Sequence, residues 1–446
     1  MANPYEAGSL SLTGAVAMGT GVMIGAGIFA LTGQVAELAG PWFPFAFLVA
    51  GLVSGLSAYS YVKLSKAYPS AGGIAMFLKQ AYGRGLVTGG SAVLMVFSMI
   101  ISESLVARTF GAYALQLVDV EKDSHWVPIL GVGLIAFAFL VNIATNKLIS
   151  RISLFAAVLK IGGIVVFSLV TLWAAGFSFQ PAGALADSAT DASLAGFIAA
   201  VALAILAYKG FTTITNAGDE LENPRRNVGL AIILSLAVCV AIYLLVAWAV
   251  GSTLSVAEIA EARDYSLAQA SRPAWGRYGL WFTVAVAIVA TASGLLASMF
   301  AVSRMLAMIT KMELIPHRHL GMKGDIQTHM LVYTCVVAAL LTIFFDLSRI
   351  ASLGAIFYLF MDIAVHWGVF RHLRDEINAK GWVLMCAMGV DLVVLVAFIW
   401  AKAREDWMIV IWAIAGIAVI FMLEWLFLKM HPDSDGEDPN YVSPGR

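Results

Sequence analysis

Residues 208–227 read YKGFTTITNAGDELENPRRN and follow the apolar run AGFIAAVALAILA at 195–207. The run is long enough to enter a bilayer, yet it leads into Lys209 and Gly210 before any polar loop begins. Irregular backbone and charge at membrane depth are tolerated only where they line a cavity or are buried in protein. The stretch therefore predicts an interrupted membrane helix beside a polar site.

The rest of the chain agrees with a membrane setting. Of its 446 residues 61% are hydrophobic and 12% charged, with a mean hydropathy of +0.87, whereas soluble domains carry about 25% charged residues. Apolar runs recur near the roughly 20 residues that a helix needs to cross hydrocarbon, which excludes a barrel of short alternating strands. The fold class expected is an all-α polytopic membrane protein with about twelve spans, near 12–36, 42–64, 86–117, 127–146, 151–175, 195–217, 228–251, 278–310, 329–346, 350–371, 381–401 and 407–429. Short links leave no room for a soluble domain.

Net charge is −1 without a basic stripe, so no nucleic-acid partner is expected. Cys239, Cys335 and Cys386 sit in apolar runs without paired spacing, which suggests neither a disulfide framework nor a zinc site. The opening MANPYEAGSL has no lysine or arginine, so no cleavable signal is expected. Loops on one side of the twelve spans hold Lys63, Lys66, Lys79, Arg84, Lys147, Arg151, Arg225, Arg226, Lys311, Arg318, Lys323, Arg371, Arg374 and Lys380. The other side holds half as many: Lys122, Arg263, Arg272, Arg277, Arg349, Lys402 and Arg404. The bias puts both termini in the cytoplasm of a plasma or inner membrane. The tail 430–446 is polar and acidic.

Two spans are interrupted alike. Span 1 contains GTGVMIGAGIFALTG at 19–33, and span 6 contains AYKGFTTITNAGD at 207–219. Glycine weakens a helix by about 1 kcal/mol and opens its backbone to close approach. Such interruptions at corresponding places in two halves point to a transporter site at a repeat interface, although each alone also fits small-residue helix packing. Donors after a break in span 1, around Ile24, Gly25, Ala26 and Gly27, suit a carboxylate. Carbonyls near Leu206, Ala207, Lys209 and Gly210 suit an ammonium.

GVMIGAGIF in span 1, YPSAGG at 68–73, GFTTITNAGDELENPRRNV around span 6 and SGLLASMFAVSRMLAMITKMELIP at 293–316 together resemble the amino acid, polyamine and organocation transporter superfamily. The resemblance runs from about residue 8 to 370. It implies five-plus-five inverted repeats, 1–175 and 195–371, with spans at 381–429 appended, and alternating access around a site between spans 1, 3, 6, 8 and 10. It also implies that Ala26 stands where many members carry serine, removing one hydroxyl contact to a carboxylate. It assigns Lys160, in SLFAAVLKIGGIVVF, a place beside span 1 where an ammonium replaces a sodium ion; the lysine then either exchanges a proton as the coupling group or stays charged as a structural cation.

Lys209 departs from the uncharged residue usual there. It would draw an anionic group and repel cationic side chains, or instead turn away to pair with the intramembrane Glu103 or Asp362. Glu220 with Arg225 and Arg226 suggests a latch at the cytoplasmic face, with Arg304 in the same gate. His366, one turn from Asp362, is expected to be a satisfied interfacial histidine. The function expected is secondary active transport of amino acids or related small zwitterions and anions, driven by a proton gradient or by exchange, with no cofactor. A transport-less nutrient sensor would keep the same site. A membrane-embedded enzyme is disfavoured because HExxH, GxSxG and paired aspartates at matching depth are missing, and a passive channel because the site glycines imply occlusion.

Overall fold

The computed structural model describes residues 8, 10–70, 72–118, 125–144, 146–178, 193–312, 314–315 and 326–430, side chains at 26 and 144–155 excepted. The acidic tail therefore lies outside the described residues, apart from Met430. The described chain is built of helices, and its one β feature is an isolated bridge between Leu10 and Leu221. Eleven stretches are long and apolar enough to cross a membrane. The first, Phe29–Ala67, passes through the 3-10 turn Gly40–Trp42 and so holds the end of span 1 together with span 2. With Leu12–Met23 as the start of span 1, each of the twelve expected passes has its helix.

Span 1 runs Leu12–Met23, Ile24–Ile28 and Phe29–Ala39; span 2 is Phe43–Ala67, span 3 Leu86–Ala114, span 4 Trp126–Ala144 and span 5 Asn146–Ala174. Span 6 begins as Leu194–Tyr208, followed by span 7 at Pro224–Thr253 and span 8 at Ser266–Lys311. Span 9 is Ile326–Phe344, span 10 Leu347–Gly368 with a π-turn to Leu373, span 11 Gly381–Glu405 and span 12 Trp407–Met430.

Local chemistry sets the helix ends. Ser11, Ser193 and Asp346 accept a backbone N–H three residues on, satisfying donors that the first turn leaves free. Pro224 opens span 7, where its missing N–H costs nothing. Span 8 bends at Gly276, whose φ of 63° is left-handed, so its membrane portion starts close to the expected residue 278. Two short helices lie outside the twelve expected spans. Gly73–Tyr82 lies between spans 2 and 3, and Val256–Glu261 follows span 7, opened by a capping box in which Ser255 and Glu258 bond each other's backbone. The Ser-Val-Ala-Glu spacing was the available signal for the second.

Burial sorts the spans. The most apolar windows of spans 3, 6 and 10 are 83%, 72% and 72% buried, against 22% for spans 4 and 12. Spans 3, 6 and 10 thus form the inside of the bundle, spans 4 and 12 its flank, and the interruptions of spans 1 and 6 meet within it.

Candidate functional site

Span 1 is not opened where a break was expected. Its glycine stretch forms a π-turn, Ile24–Ile28, with helical dihedrals on both sides: φ −67° and ψ −35° at Ile24, φ −70° and ψ −37° at Phe29. A π-turn absorbs an extra residue without unwinding the helix, so the expected run of exposed donors at Gly25–Gly27 is replaced by a bulge. The Ala26 side chain lies outside the described set.

The glycines serve close approach. A Cβ built on Gly25 would lie 2.8 Å from the carbonyl oxygen of Ala290, and one on Gly27 would lie 2.9 Å from Cα of Ala207. On span 6, a Cβ at Gly210 would lie 2.8 Å from the backbone nitrogen of Met23. Backbone faces backbone at each point, and no side chain fits. Ile24, Gly25 and Gly27 are accordingly buried against spans 6 and 8.

Span 6 does change character. Its α-helix stops at Tyr208, passes through a 3-10 turn at Lys209–Phe211 and one short helix, Thr212–Thr215, then reaches a second 3-10 turn at Gly218–Glu220. Of the carbonyls expected to be free, those of Ala207, Lys209 and Gly210 are engaged. Thr212 and Thr215 donate their hydroxyls to Lys209 (2.8 Å) and Thr212 (2.6 Å), and Thr213 donates to Gly210. The Tyr243 hydroxyl, from span 7, is 2.7 Å from the Met23 carbonyl oxygen and 3.1 Å from that of Ala207. One hydroxyl has one proton, so Tyr243 divides it between the two interrupted spans. The threonines at 212, 213 and 215 follow Gly210 directly in the sequence, whereas no local motif marks Tyr243.

A cavity of about 30 Å³ lies between spans 1, 3, 6 and 8. Leu206, Ala207, Lys209 and Gly210 form its span 6 wall, with Val22, Ser102 and Ser298 among the facing residues. That volume holds about two waters, not an amino acid. Lys209 donates to the Ser98 carbonyl at 2.6 Å and is 2.9 Å from the Ser98 hydroxyl. It pairs with neither carboxylate proposed for it. Glu103 is fully buried, accepts from Ser298 at 3.3 Å and keeps one oxygen unpartnered. Asp362 accepts from Ser57 at 2.6 Å and Tyr61 at 2.5 Å in a separate cluster.

Lys160 is 2% exposed and reaches span 1, donating to the Gly21 carbonyl at 2.7 Å, with the Ser293 hydroxyl at 3.2 Å. Each end of the bundle carries an ion pair. At one, Glu220 pairs with Arg304 rather than with Arg225, which is exposed, because span 8 brings its arginine across while Arg225 points outward from the first turn of span 7. Backbone bonds from Leu10 to Glu220 and from Glu222 to Leu10 tie the residue just ahead of span 1 to this end. At the other, Arg263 meets Glu37 at 2.8 Å and Gln34 donates to Asp264 at 2.9 Å.

Residues 10–443 match the sequence profile of the family described as amino acid permease. The chain belongs to that family. This permease is 31% identical over 411 residues to the inner membrane transport protein YbaT of Escherichia coli (strain K12), covering 92% of this chain and 94% of the relative. It is 28% identical over 429 residues to the uncharacterized protein MJ0609 of Methanocaldococcus jannaschii, covering 94% and 95%. It is 26% identical to the vacuolar cationic amino acid transporter 2 of Arabidopsis thaliana over 390 residues, 82% of this chain and 60% of that one. The permease is thus a multi-pass membrane protein whose interrupted spans meet beside a small cavity.

Proposed function

We propose that the permease is a secondary active transporter that carries amino acids, or related small zwitterions and anions, across an inner membrane by alternating access, with a proton on Lys160 as the coupling ion. The observation that carries the coupling is the Lys160 ammonium, buried without a carboxylate and bonded to the Gly21 carbonyl just before the π-turn. Losing its proton would remove a charge-assisted bond that ties span 5 to span 1. The charge bias of the loops supports a cytoplasmic Glu220–Arg304 end.

Substrate sits, in this proposal, where spans 1 and 6 meet. Its carboxylate faces the π-turn of Ile24–Ile28, and its ammonium takes the place of the Tyr243 and threonine hydroxyls on the span 6 carbonyls. The small cavity is then an occluded state without substrate, and entry requires span 1 or span 6 to move. The Arabidopsis relative's name specifies cationic amino acids; Lys209 on the cavity wall opposes a cationic side chain here, so neutral and acidic substrates are preferred.

A second reading keeps Lys160 permanently charged and makes the permease an exchanger, which the same bond to Gly21 supports. Uptake of labelled neutral, acidic and basic amino acids into proteoliposomes, with and without an inward proton gradient, separates the two. Gradient-driven accumulation lost in Lys160→Gln supports proton coupling; uptake that needs only internal amino acid supports exchange; binding without flux means a sensor. Lys209→Met is expected to shift preference toward neutral substrates.

A further inference from the structure

Away from the cavity, three ionisable side chains meet where spans 2, 10 and 11 pack. Asp362 and His366 stand one turn apart on span 10, the i,i+4 spacing that puts both on one face, and Asp391 comes from span 11. None is more than 1% exposed. Nε2 of His366 is 3.6 Å from Oδ2 of Asp362 and 3.5 Å from Oδ2 of Asp391. Those distances are too long for hydrogen bonds, and His366 Nε2 and Asp391 Oδ2 have no hydrogen-bond partner. Span 2 supplies only neutral groups: Ser57 and Tyr61, which donate to Asp362, and Ser60, whose hydroxyl is 2.7 Å from Nδ1 of His366. Among the described residues neither carboxylate is paired with a lysine or an arginine. Two buried carboxylates thus face one imidazole nitrogen at 3.5 and 3.6 Å, within ion-pair range of a protonated ring but without a hydrogen bond to it.

We infer that Asp362, His366 and Asp391 form a binding site for a divalent transition-metal ion. Zinc binds histidine nitrogen and carboxylate oxygen at about 2.0–2.2 Å in a tetrahedral arrangement, which sets neighbouring ligand atoms about 3.4 Å apart. The two measured separations lie close to that edge. The ion's double charge would balance both carboxylates, whereas a protonated His366, within 3.6 Å of each, would offset only one of them. With Nε2 on the metal, Nδ1–H donates to Ser60, fixing tautomer and ring, while Ser57 and Tyr61 hold Asp362; ligands in metal sites are commonly oriented by such bonds. A donor set of one imidazole and two carboxylates, without thiolate, suits Zn²⁺, Co²⁺ or Mn²⁺ rather than Cu(I). The ion would clamp span 11 to spans 2 and 10. Tyr61 carries the effect inward, since its ring packs edge-on against Phe211 of span 6 at 5.4 Å.

The test uses the full-length permease in detergent, purified without a polyhistidine tag, stripped with chelator and titrated with Co²⁺. One equivalent should bind with the visible spectrum of tetrahedral cobalt, be displaced by Zn²⁺, and vanish in Asp391→Asn and His366→Gln. Ser60→Ala should keep the site but weaken it about 10–100-fold. Zn²⁺ should raise the melting temperature of wild type and of Ser60→Ala, but not of Asp391→Asn. Wild type that binds no stoichiometric Co²⁺ overturns the inference, as does equal binding by Asp391→Asn and His366→Gln. A cluster that takes no metal but whose loss moves the pH dependence of uptake would hold protons instead, which also overturns it. No amino acid is read in the titration, so its result stands apart from the transport proposal.

Discussion

Tyr243 stands 2.7 Å from the carbonyl oxygen of Met23, and the same hydroxyl is 3.1 Å from that of Ala207, so one side chain of span 7 links the last residue before the π-turn to the end of the span 6 helix. Tyr243→Phe removes the link while keeping the ring packed on Phe47 and Tyr208. Losing a hydrogen bond of this kind costs about 0.5–1.5 kcal/mol net. The expected outcome is a folded protein with a slightly lower melting temperature and an altered substrate affinity, measured by thermal unfolding with and without amino acid. An unchanged affinity would mean that the Tyr243 hydroxyl does not hold the two interruptions in a binding-relevant position.

The bond from Lys160 to Gly21 predicts a pair of contrasting variants. Lys160→Met deletes a buried bond to a charged group, a contribution of about 1.5–3 kcal/mol, and should abolish accumulation driven by a pH gradient. Lys160→Arg keeps a charge that does not leave near neutrality. It should abolish gradient-driven accumulation too while sparing more of the stability. Retained accumulation in Lys160→Arg would move the coupling proton elsewhere.

Close approach predicts which glycines tolerate a methyl group. Gly27→Ala sets a Cβ 2.9 Å from Cα of Ala207 and against the Tyr243 hydroxyl, and Gly25→Ala sets one 2.8 Å from the Ala290 carbonyl oxygen. Both should lose uptake, because backbone cannot give way as a side-chain tip can. Gly162→Ala, with nothing within 4 Å of its Cβ, should be functional and up to about 1 kcal/mol more stable. Uptake by all three in one expression system is the check.

The two ends of the bundle are latched unequally. The Arg304 and Glu220 side chains are 8% and 19% exposed, whereas those of Arg263 and Glu37 are 41% and 33% exposed. An exposed pair contributes at most about 1 kcal/mol. Glu220→Gln should therefore favour opening at its own end about 5–30-fold, the ratio corresponding to 1–2 kcal/mol, while Glu37→Gln changes little. The readout is labelling of Thr213→Cys by an impermeant thiol reagent added from each side. Equal labelling in the two backgrounds would show that the backbone bonds of Leu10, not the ion pair, close that end.

Much of this protein was legible one residue at a time. Hydropathy and span length gave the polytopic helical fold, because each crossing must satisfy its own backbone in lipid whatever its neighbours are. The glycines and Lys209 located both interruptions, since backbone tolerance is also a local property. The quoted motifs gave the family. Side-chain partnership was not legible. Glu220 found Arg304 rather than Arg225, Lys209 found Ser98 rather than Glu103 or Asp362, and His366, expected at an interface, is fully buried beside Asp391. Each of these pairings depends on how far helices distant in sequence rotate and slide against each other, and a hydropathy pattern fixes the length of a helix without fixing the face it turns to a given neighbour. The form of the span 1 interruption was likewise decided in three dimensions. Glycine permits both an unwound stretch and a π-turn, and the close packing of spans 6 and 8 on Gly25 and Gly27 goes with the π-turn.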